Sequence, residues 1–220
     1  IKTEDFLIAR HETTYRDWIA FLEASPPDLR AKHTPGLEAD KLHGVLRLEK
    51  VQERWRLSLS AGSATYVAFA GEPLRFPKER TPAEVDWLDT PVAGISWDDA
   101  TAYMRWLDAS GRVPGARFCT EWEWERAARG ADGRHFPHAE TVAPDEASFD
   151  ETYKKIPELM APDVVGLRPA SRSPFGVDDL VGNVWEWTRS SLVDGEAVIR
   201  GGAYYYDEIS AQISNRHEFA

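Results

Sequence analysis

Apolar residues recur at helical spacing in three stretches of the chain, and each stretch carries signals for a start and a stop. Each begins at a Ser or Thr that can act as an N-cap, with an acidic residue three positions later to complete a capping box. Each ends at a glycine or just before a pair of prolines, which do not continue a helix. The sequence therefore predicts two or three capped helices. The stretches extend from Thr14 to Ser25, from Ser96 to Gly111 and from Thr120 to Gly130.

Strand signals are shorter and more scattered. Polar and apolar residues alternate from Trp55 to Leu59, and Thr65-Tyr66-Val67 is β-prone, so residues 45–69 predict a hairpin. Phe6-Leu7-Ile8 and Ala197 to Arg200 are short enough to be single strands. Fourteen prolines and fifteen glycines predict many turns between these elements. Together with the helices, these signals predict a fold of two or three helices, short strands and many turns.

The length of 220 residues and the hydrophobic content of 42% fit one domain, which we predict to cover residues 1–220. The first residue is Ile1 instead of Met, so we expect the domain to be part of a longer polypeptide. Cys119 is the only cysteine, which excludes an internal disulfide and suits a reducing compartment. The sequence has no apolar run of membrane-spanning length and no signal-peptide pattern. We therefore predict a cytoplasmic protein with no membrane partner.

The formal net charge is −11, from 26 basic and 37 acidic residues, with no long run of like charge. Phosphate backbones need a basic patch, so this composition argues against a nucleic-acid partner. An acidic surface is compatible with cation binding, and it is also a common way to stay soluble. Charge alone leaves both interpretations open.

The stretch from Ser173 to Thr188 combines turn signals with oxygen donors and large apolar residues. Phe175-Gly176 and Gly182-Asn183 mark two turns close together. Calcium binds six to eight oxygens, some from carboxylates and some from main-chain carbonyls. The stretch therefore predicts either a calcium loop or a solvated loop with buried tryptophans. Its side-chain oxygen donors are Asp178, Asp179, Asn183 and Glu186.

The segment Gly182-Asn183-Val184-Trp185-Glu186-Trp187 resembles the signature of the formylglycine-generating enzyme family, also called sulfatase-modifying factor domains. Four other pieces match in the family's order, and together they span nearly the whole chain. The resemblance implies the C-type-lectin-like fold of formylglycine-generating enzymes, an α+β fold with two or three helices, short twisted strands and much irregular structure. The other pieces are Glu12 to Leu22, Pro91 to Ala100, Thr120 to Gly130 and Arg200 to Tyr204.

The same resemblance implies a calcium site in the loop. Asp179 and Glu186 would offer carboxylate oxygens, and Gly182 and Val184 would offer main-chain carbonyls. The family has another calcium site at an Asn-containing turn, where this chain has Ser148. We therefore expect calcium at the first site and leave the second one open.

Active members of the family oxidise a sulfatase cysteine to formylglycine, using oxygen and a copper ion held by two cysteines. Those cysteines lie five residues apart, just after a Gly-Gly pair. Counted without gaps from Gly201-Gly202, the two places hold Tyr206 and Ala211. Cu(I) is a soft ion that prefers thiolate ligands, so we expect neither copper binding nor this activity. Cys119 matches neither position, and we expect it to fill an apolar corner.

The resemblance leaves two classes of function. The first is a non-catalytic protein- or peptide-recognition or regulatory module, fused to or partnered with a bacterial signalling or effector domain such as a kinase or protease. The second is an enzyme of the wider superfamily, a formylglycine-generating oxidase or an ergothioneine-type sulfoxide synthase, with its missing parts outside this chain.

Such sulfoxide synthases need a three-histidine iron site with a His-x-x-x-His-x-Glu pattern. That pattern does not occur among the six histidines of this chain. We expect His33 and His43 to lie in a solvated loop, and His135 and His138 at the surface.

Residues that follow the Gly-Gly pair line the substrate groove in active family members, so Tyr204 to Arg216 are expected to lie in or beside the matching concavity. Tyrosine and arginine often dominate protein contacts. The alternative is that the tyrosines alternate in a strand, so that only Tyr205, or only Tyr204 and Tyr206, faces outward. The candidate partner-binding residues are Tyr204, Tyr205, Tyr206, Asn215 and Arg216.

Overall fold

The computed structural model describes residues 3–37, 46–191 and 196–219. Within these ranges the chain forms four α-helices separated by long irregular segments. Three of the helices have the capping boxes that the sequence predicts, at Thr14, Ser96 and Thr120. The helices are α1 (Tyr15–Ala24), α2 (Pro27–Lys32), α3 (Trp97–Ala109) and α4 (Glu121–Arg129).

Helix α2 follows directly after the prolines that end α1, and the sequence analysis did not predict it. Proline suits the first position of a helix, because its missing N–H has no partner there and its φ is already helical. Pro27 occupies this position in α2. The Pro26-Pro27 pair therefore ends one helix and begins the next.

The described residues form nine short strands in antiparallel pairs. The predicted hairpin is confirmed as β3 and β4, and residues 46–51 add a third long strand beside it; residue 45 lies outside the described residues. The predicted strand from Ala197 to Arg200 is also confirmed. The strands are β1 (Gly36–Leu37), β2 (Leu46–Val51), β3 (Arg54–Ala61), β4 (Ala64–Phe69), β5 (Leu74–Arg75), β6 (Glu84–Val85), β7 (Glu186–Trp187), β8 (Ala197–Arg200) and β9 (His217–Phe219).

The chain divides into two compact units. The middle unit comprises residues 13–114 and 155–164, and the terminal unit comprises residues 1–12, 115–154 and 165–220. The single domain over residues 1–220 stays a prediction.

The middle unit has an aromatic core against the sheet β1-β2-β3-β4. Alternation along β3 buries Trp55, Leu57 and Leu59 on one face. Trp18 of α1 stacks on Tyr103 of α3 with ring centroids 5.2 Å apart. Trp87, which is fully buried, meets Tyr15 edge to face. These rings provide the large apolar area that stabilises the unit.

His33 is buried in the middle unit, so the prediction that it lies in solvent was wrong. Its Nδ1 lies 2.7 Å from Oδ1 of Asp99. The other oxygen of Asp99 accepts the hydrogen bonds of the capping box at Ser96, which leaves Oδ1 for the histidine. The acidic partner is 66 residues away in sequence, and local sequence does not reveal it. His43 lies outside the described residues.

The terminal unit contains α4 and the sheet β7-β8-β9. Its apolar residues form two clusters, one around Trp124 of α4 and one around Phe149. The predicted strand at Phe6-Leu7-Ile8 was wrong, since the segment pairs with no strand of the described chain. Leu7 is fully exposed while Phe6 and Ile8 pack on the Trp124 cluster, so burial alternates without strand hydrogen bonds. No helix in the described ranges is long and apolar enough to cross a membrane.

Candidate functional site

The loop from Ser173 to Thr188 is held by backbone contacts that only particular residues allow. Asp179 and Asn183 adopt left-handed conformations, with φ of 59° and 58°. A side chain at Gly182 would place its Cβ 1.9 Å from the carbonyl oxygen of Ser148, so glycine is required there. The Gly182 N–H donates to the carbonyl of Gly201 at 2.7 Å, and the Asn183 N–H donates to that of Ser148 at 2.8 Å. The loop is thus fixed against two distant segments of the terminal unit.

Asp178 and Asp179 are neighbours with different roles. Asp178 is buried and paired with Arg10 at 2.9 Å and Arg172 at 2.6 Å. Burial opposes its ionisation, but the hydrogen bonds from Arg172 and Arg10 outweigh burial and lower the pKa of Asp178. Its oxygens are engaged by arginines, so Asp178 is a structural residue of the loop.

Asp179 belongs instead to a group of acidic residues, with Glu12 and Glu186. Both carboxylate oxygens of Glu12 are buried and lack a hydrogen bond of normal geometry within the described chain. Burial, followed by repulsion from Asp179 and Glu186, raises the pKa of Glu12 well above its ordinary value, although the nearby Asn183 side chain opposes this rise. Glu186 keeps some exposure as a residue, yet burial raises its pKa to about 8, with the Trp124 indole opposing and Asp179 reinforcing the rise.

These carboxylates fit a divalent cation chemically. Grouped buried acids repel one another, and a cation would stabilise their ionised forms. No group of three or more His, Cys, Asp or Glu side chains in the described residues forms a ready-made metal site. A calcium site of the expected kind differs, because main-chain carbonyls of Gly182 and Val184 would supply part of its oxygens.

Sequence reasoning did not identify Glu12 as a site residue. It belongs to the first segment that matches the family, but it lies 167 positions before Asp179. Only folding brings its buried carboxylate close enough to Asp179 and Glu186 for their charges to interact. The available signal was the family-matching segment itself.

Four aromatic residues form what we call the aromatic surface: Trp185, Tyr205, Tyr206 and His217. The Trp185 ring lies 5.7 Å from Tyr206 and 6.2 Å from His217, and the rings of Tyr205 and Tyr206 are 4.7 Å apart. Tyr205 and Tyr206 are exposed at 36% and 38%. Neighbouring residues are both exposed, so the alternative of tyrosines alternating in a strand was wrong. The segment is a turn, closed by a hydrogen bond from the Tyr206 N–H to the Ala203 carbonyl at 3.0 Å.

The other predicted partner-binding residues have different surroundings. Tyr204 contacts Tyr205 edge to face at 4.9 Å, and burial raises the pKa of its hydroxyl well above the ordinary value. The Asn215 side chain donates to the Ser210 carbonyl at 2.7 Å. Arg216 pairs with Glu121 at 3.2 Å and lies over the ring of Trp122. Their part in partner binding stays a prediction.

The candidate calcium loop and the aromatic surface are connected by backbone hydrogen bonds, and they overlap in sequence. The Asn183 carbonyl accepts a hydrogen bond from the Tyr204 N–H at 2.9 Å. Trp185, a member of the aromatic surface, stands between the expected calcium ligands Val184 and Glu186. The Tyr206 carbonyl in turn accepts from the Asp150 N–H at 2.9 Å. The backbone that carries the tyrosines is therefore hydrogen-bonded to the loop.

The two places that correspond to the family's cysteine pair, counted from Gly201-Gly202, hold residues without a thiol, Tyr206 and Ala211. Tyr206 is exposed and Ala211 is buried. Cys119 packs on the Trp124 cluster, as the sequence predicts. Burial, followed by the charges of Glu186 and Glu123, raises the pKa of Cys119 to about 12, so it is a thiol at neutral pH.

Capped helices, short antiparallel strands and an oxygen-rich Gly-Asn loop together define a domain of the formylglycine-generating enzyme type. The model of the family described as "Sulfatase-modifying factor enzyme 1-like domain" matches residues 1–220. The chain therefore belongs to this family, and the resemblance is confirmed.

The names of similar proteins include both active and inactive members of the family. "Inactive C-alpha-formylglycine-generating enzyme 2" of Bos taurus is 32% identical over 136 residues, which are 59% of this chain and 43% of that protein. "Formylglycine-generating enzyme" of Mycobacterium tuberculosis is 35% identical over 124 residues, 54% of this chain and 39% of that protein. "Hercynine oxygenase" of the same organism is 36% identical over 110 residues, which are 47% of this chain and 23% of that protein. The chain spans less than half the length of these relatives.

Solved structures share the fold. PvdO from Pseudomonas aeruginosa aligns with a TM-score of 0.60 at 19% identity, over 96% of this chain and 73% of that chain. CarF aligns with a TM-score of 0.57 at 18% identity, over 96% and 78%. These likenesses confirm the predicted α+β fold of the formylglycine-generating enzyme type.

Proposed function

We propose that this domain is a non-catalytic recognition module that binds a protein or peptide through the aromatic surface, which a calcium-stabilised loop supports. The observation that carries the proposal is the exposure of Tyr205 and Tyr206 beside Trp185 and His217. Clustered aromatic rings with polar ends are typical of binding hot spots, because they bury large area with few rotatable bonds.

The absence of a cysteine pair supports a non-catalytic role. The sequence has one cysteine, and burial keeps it protonated. The chain therefore offers no pair of thiolates to copper. The direct test mixes the purified chain with copper, oxygen and a sulfatase peptide, and we expect the peptide cysteine to stay intact. Conversion of that cysteine to an aldehyde would refute this part of the proposal.

Calcium would be held by the carboxylates of Asp179 and Glu186 and by the carbonyls of Gly182 and Val184, with Glu12 as a further carboxylate. When bound, it would supply the positive charge that these buried acids lack. Its second effect would be on the aromatic surface, through the hydrogen bond from the Tyr204 N–H to the Asn183 carbonyl.

Hydrogen exchange tests that link without any partner. Calcium should slow exchange of the Tyr204 amide, and Asp179→Ala should abolish the slowing. The Leu48 amide, which donates to Pro35 in the middle unit, serves as the control and should not respond. Equal exchange rates of the Tyr204 amide in calcium and in chelator would show that calcium does not stabilise the aromatic surface through the loop.

Selection from a displayed peptide library tests recognition itself. Peptides selected on the unmodified domain should bind Tyr206→Ala more weakly by roughly 1–2 kcal/mol, about 5- to 30-fold in Kd. Trp97→Ala, which removes an exposed aromatic from α3, is the matched control and should leave Kd unchanged. Arg216→Ala, tested alongside, asks whether that residue contributes. Selected peptides that ignore Tyr205 and Tyr206 would place recognition elsewhere.

We further propose that the module acts in the cytoplasm, joined to or partnered with a bacterial signalling or effector domain such as a kinase or protease. The single cysteine suits that compartment. The sequence of the full polypeptide tests this proposal, and an effector domain in it would support the assignment.

The second candidate is an enzyme of the wider superfamily, which the similarity to hercynine oxygenase favours. His135 and His138 have separate acidic neighbours, Glu140 at 3.8 Å and Glu146 at 3.2 Å. Metal analysis of the full polypeptide distinguishes the candidates. Stoichiometric iron would favour the enzyme, and its absence would favour the recognition module.

A further inference from the structure

A cavity of about 500 Å³ lies along one face of α4, on the opposite side from the residues that this helix buries in the Trp124 cluster. Its wall includes Trp122, Glu125, Arg126 and Arg129, which occupy positions i, i+3, i+4 and i+7 and therefore share one helix face. Thr3 closes another side. The volume is in the range of small-ligand pockets. We call it the α4 cavity.

Among the described residues, two arginines line the α4 cavity, and only Arg129 is paired with a carboxylate. Arg129 pairs with Glu125, and Glu125 also accepts from Arg200 at 2.8 Å. Glu121 lies 3.5 Å from Arg200 and 3.2 Å from Arg216.

Arg126 has no ion pair with any described residue, and its guanidinium lies over the ring of Phe175 at 5.7 Å. Arg126 is exposed, so a ligand can reach its guanidinium from solvent.

The local charge is opposite to that of the whole chain. The sequence carries a net charge of −11, yet the wall of the α4 cavity holds two arginines, Arg126 and Arg129, and one glutamate, Glu125. A concave wall with an excess of positive charge concentrates anions. The unmatched guanidinium at the cavity wall therefore favours an anion.

The chemistry of the wall limits the kind of anion. One guanidinium is unpaired, which matches a single negative charge, and Glu125 on the same wall repels ions of higher charge. Guanidinium and carboxylate groups form two parallel hydrogen bonds in one plane. Trp122 is partly exposed and offers an apolar ring to the body of the ligand.

We propose that the α4 cavity binds a monocarboxylate with an apolar body, and that Arg126 pairs with its carboxylate while Trp122 contacts the apolar part. This site is separate from the aromatic surface and does not depend on the proposed function. The carboxylate could belong to a free small molecule or to an acidic residue of a peptide.

Titration with phenylacetate tests the proposal, with NMR detection of the Trp122 indole N–H. We expect a saturable shift at millimolar concentration. Phenylacetamide, the neutral analogue of the same shape, should bind at least about tenfold more weakly, because it lacks the charge-assisted pair. Phosphate should also bind more weakly than phenylacetate.

Variants then assign the effect to the cavity. Arg126→Gln should weaken phenylacetate binding about tenfold or more, and Arg126→Lys should lie between it and the unmodified chain. Arg105→Gln, at an exposed position of α3, is the matched control and should bind normally. Thermal unfolding of each variant checks that the fold is intact.

The source of the carboxylate is resolved by a second titration, with a short capped peptide containing one Glu and its Gln counterpart. A Glu peptide that binds more tightly than phenylacetate indicates an acidic peptide ligand, and the reverse indicates a small molecule. The proposal is overturned by the lack of a saturable shift, by equal binding of phenylacetamide, by tighter binding of phosphate, or by unchanged binding in a folded Arg126→Gln variant.

Discussion

Two buried arginines show how differently the two units use polar groups. Arg80 of the middle unit pairs with Asp163 at 2.8 Å and donates to the carbonyls of Leu159, Pro82, Ala161 and Pro162. Arg200 of the terminal unit is equally buried, but its Nε and Nη1 have no hydrogen-bond partner in the described residues. Burial accordingly lowers the pKa of Arg200. A saturated arginine supports the fold, whereas an undersaturated one is a feature of functional regions.

The same contrast extends to the rest of each unit. The middle unit is stabilised by packed aromatic rings against an antiparallel sheet. The terminal unit buries acidic residues, including Asp178, Asp179 and Glu121. Buried charges cost free energy unless they are paired, so they are expected where a ligand or a precise position requires them. We therefore expect the candidate functions in the terminal unit and a mainly structural role for the middle unit.

The strongest test of this contrast is Trp18→Ala in the middle unit. Trp18 is almost fully buried and contacts Phe21 and Tyr103, so we expect a loss of about 3–5 kcal/mol in the free energy of unfolding. The loss should be the same in calcium and in chelator, as measured by urea unfolding. Val67→Thr, at an exposed position of β4, should change stability by less than about 0.5 kcal/mol. A loss of stability that depends on calcium would contradict the assignment of calcium binding to the terminal unit alone.

The two arginines provide a matched pair. Arg80→Met leaves Asp163 buried and should cost about 3–5 kcal/mol. Arg200→Met should lower the free energy of unfolding by less, because both glutamates retain an ion pair. Glu125 still pairs with Arg129, and Glu121 still pairs with Arg216. Arg75→Met, which removes an exposed pair with Glu84, should cost less than about 1 kcal/mol. Denaturant unfolding of the three variants gives the order, and a larger cost at Arg200 than at Arg80 would reverse the interpretation.

Calcium is the next largest effect expected. At a concentration about a hundredfold above its Kd, it should stabilise the chain by about 2.7 kcal/mol and raise Tm by about 5–10 °C. Asp179→Ala should remove this dependence, while Glu140→Gln, at an exposed acid, should keep it. Calorimetry in calcium and in chelator measures the difference. A Tm that ignores both would leave the buried acids without a cation.

The smallest effect concerns the cap of α4. Hydrogen bonds from Arg117, opposed by burial and aided by the Thr120 backbone, lower the pKa of Glu123 to about 2, from an ordinary value of 4.5. A lowered pKa means that the stabilisation is complete above about pH 4.5 and disappears as pH falls toward 2.

Glu123→Gln should therefore cost about 1 kcal/mol at pH 7, and the difference from the unmodified chain should shrink below pH 4.5. Other acids titrate in both proteins and cancel in the comparison. A difference that stays constant down to pH 2 would show that the charge of Glu123 does not contribute.

Local signals made much of the fold predictable. The capping boxes at Thr14, Ser96 and Thr120 join residues three positions apart, so the sequence reveals both partners. The β3–β4 hairpin follows from alternation and a glycine turn. The Gly182-Asn183 segment identified the family and the loop from the sequence. The structure gives the reason for its glycine, since a contact with the Ser148 backbone leaves no space for a Cβ.

Other features were decided by contacts between residues far apart in sequence. From the sequence, the Pro26-Pro27 pair predicted only the end of α1, since the sequence does not show that a new helix begins at Pro27. His33 is buried because Asp99 is available to it, and Phe6 to Ile8 stays irregular because no described strand pairs with it.

The sequence by itself determined the caps, the turns, the family and the missing cysteine pair, since these depend on neighbouring residues or on identity alone. Tertiary structure decided which polar groups lose water. It brought Glu12 to Asp179 and Glu186, exposed Tyr205 and Tyr206 together, and left Arg126 without a carboxylate at the α4 cavity. Desolvation and long-range pairing arise only when distant segments meet, and no local pattern encodes them.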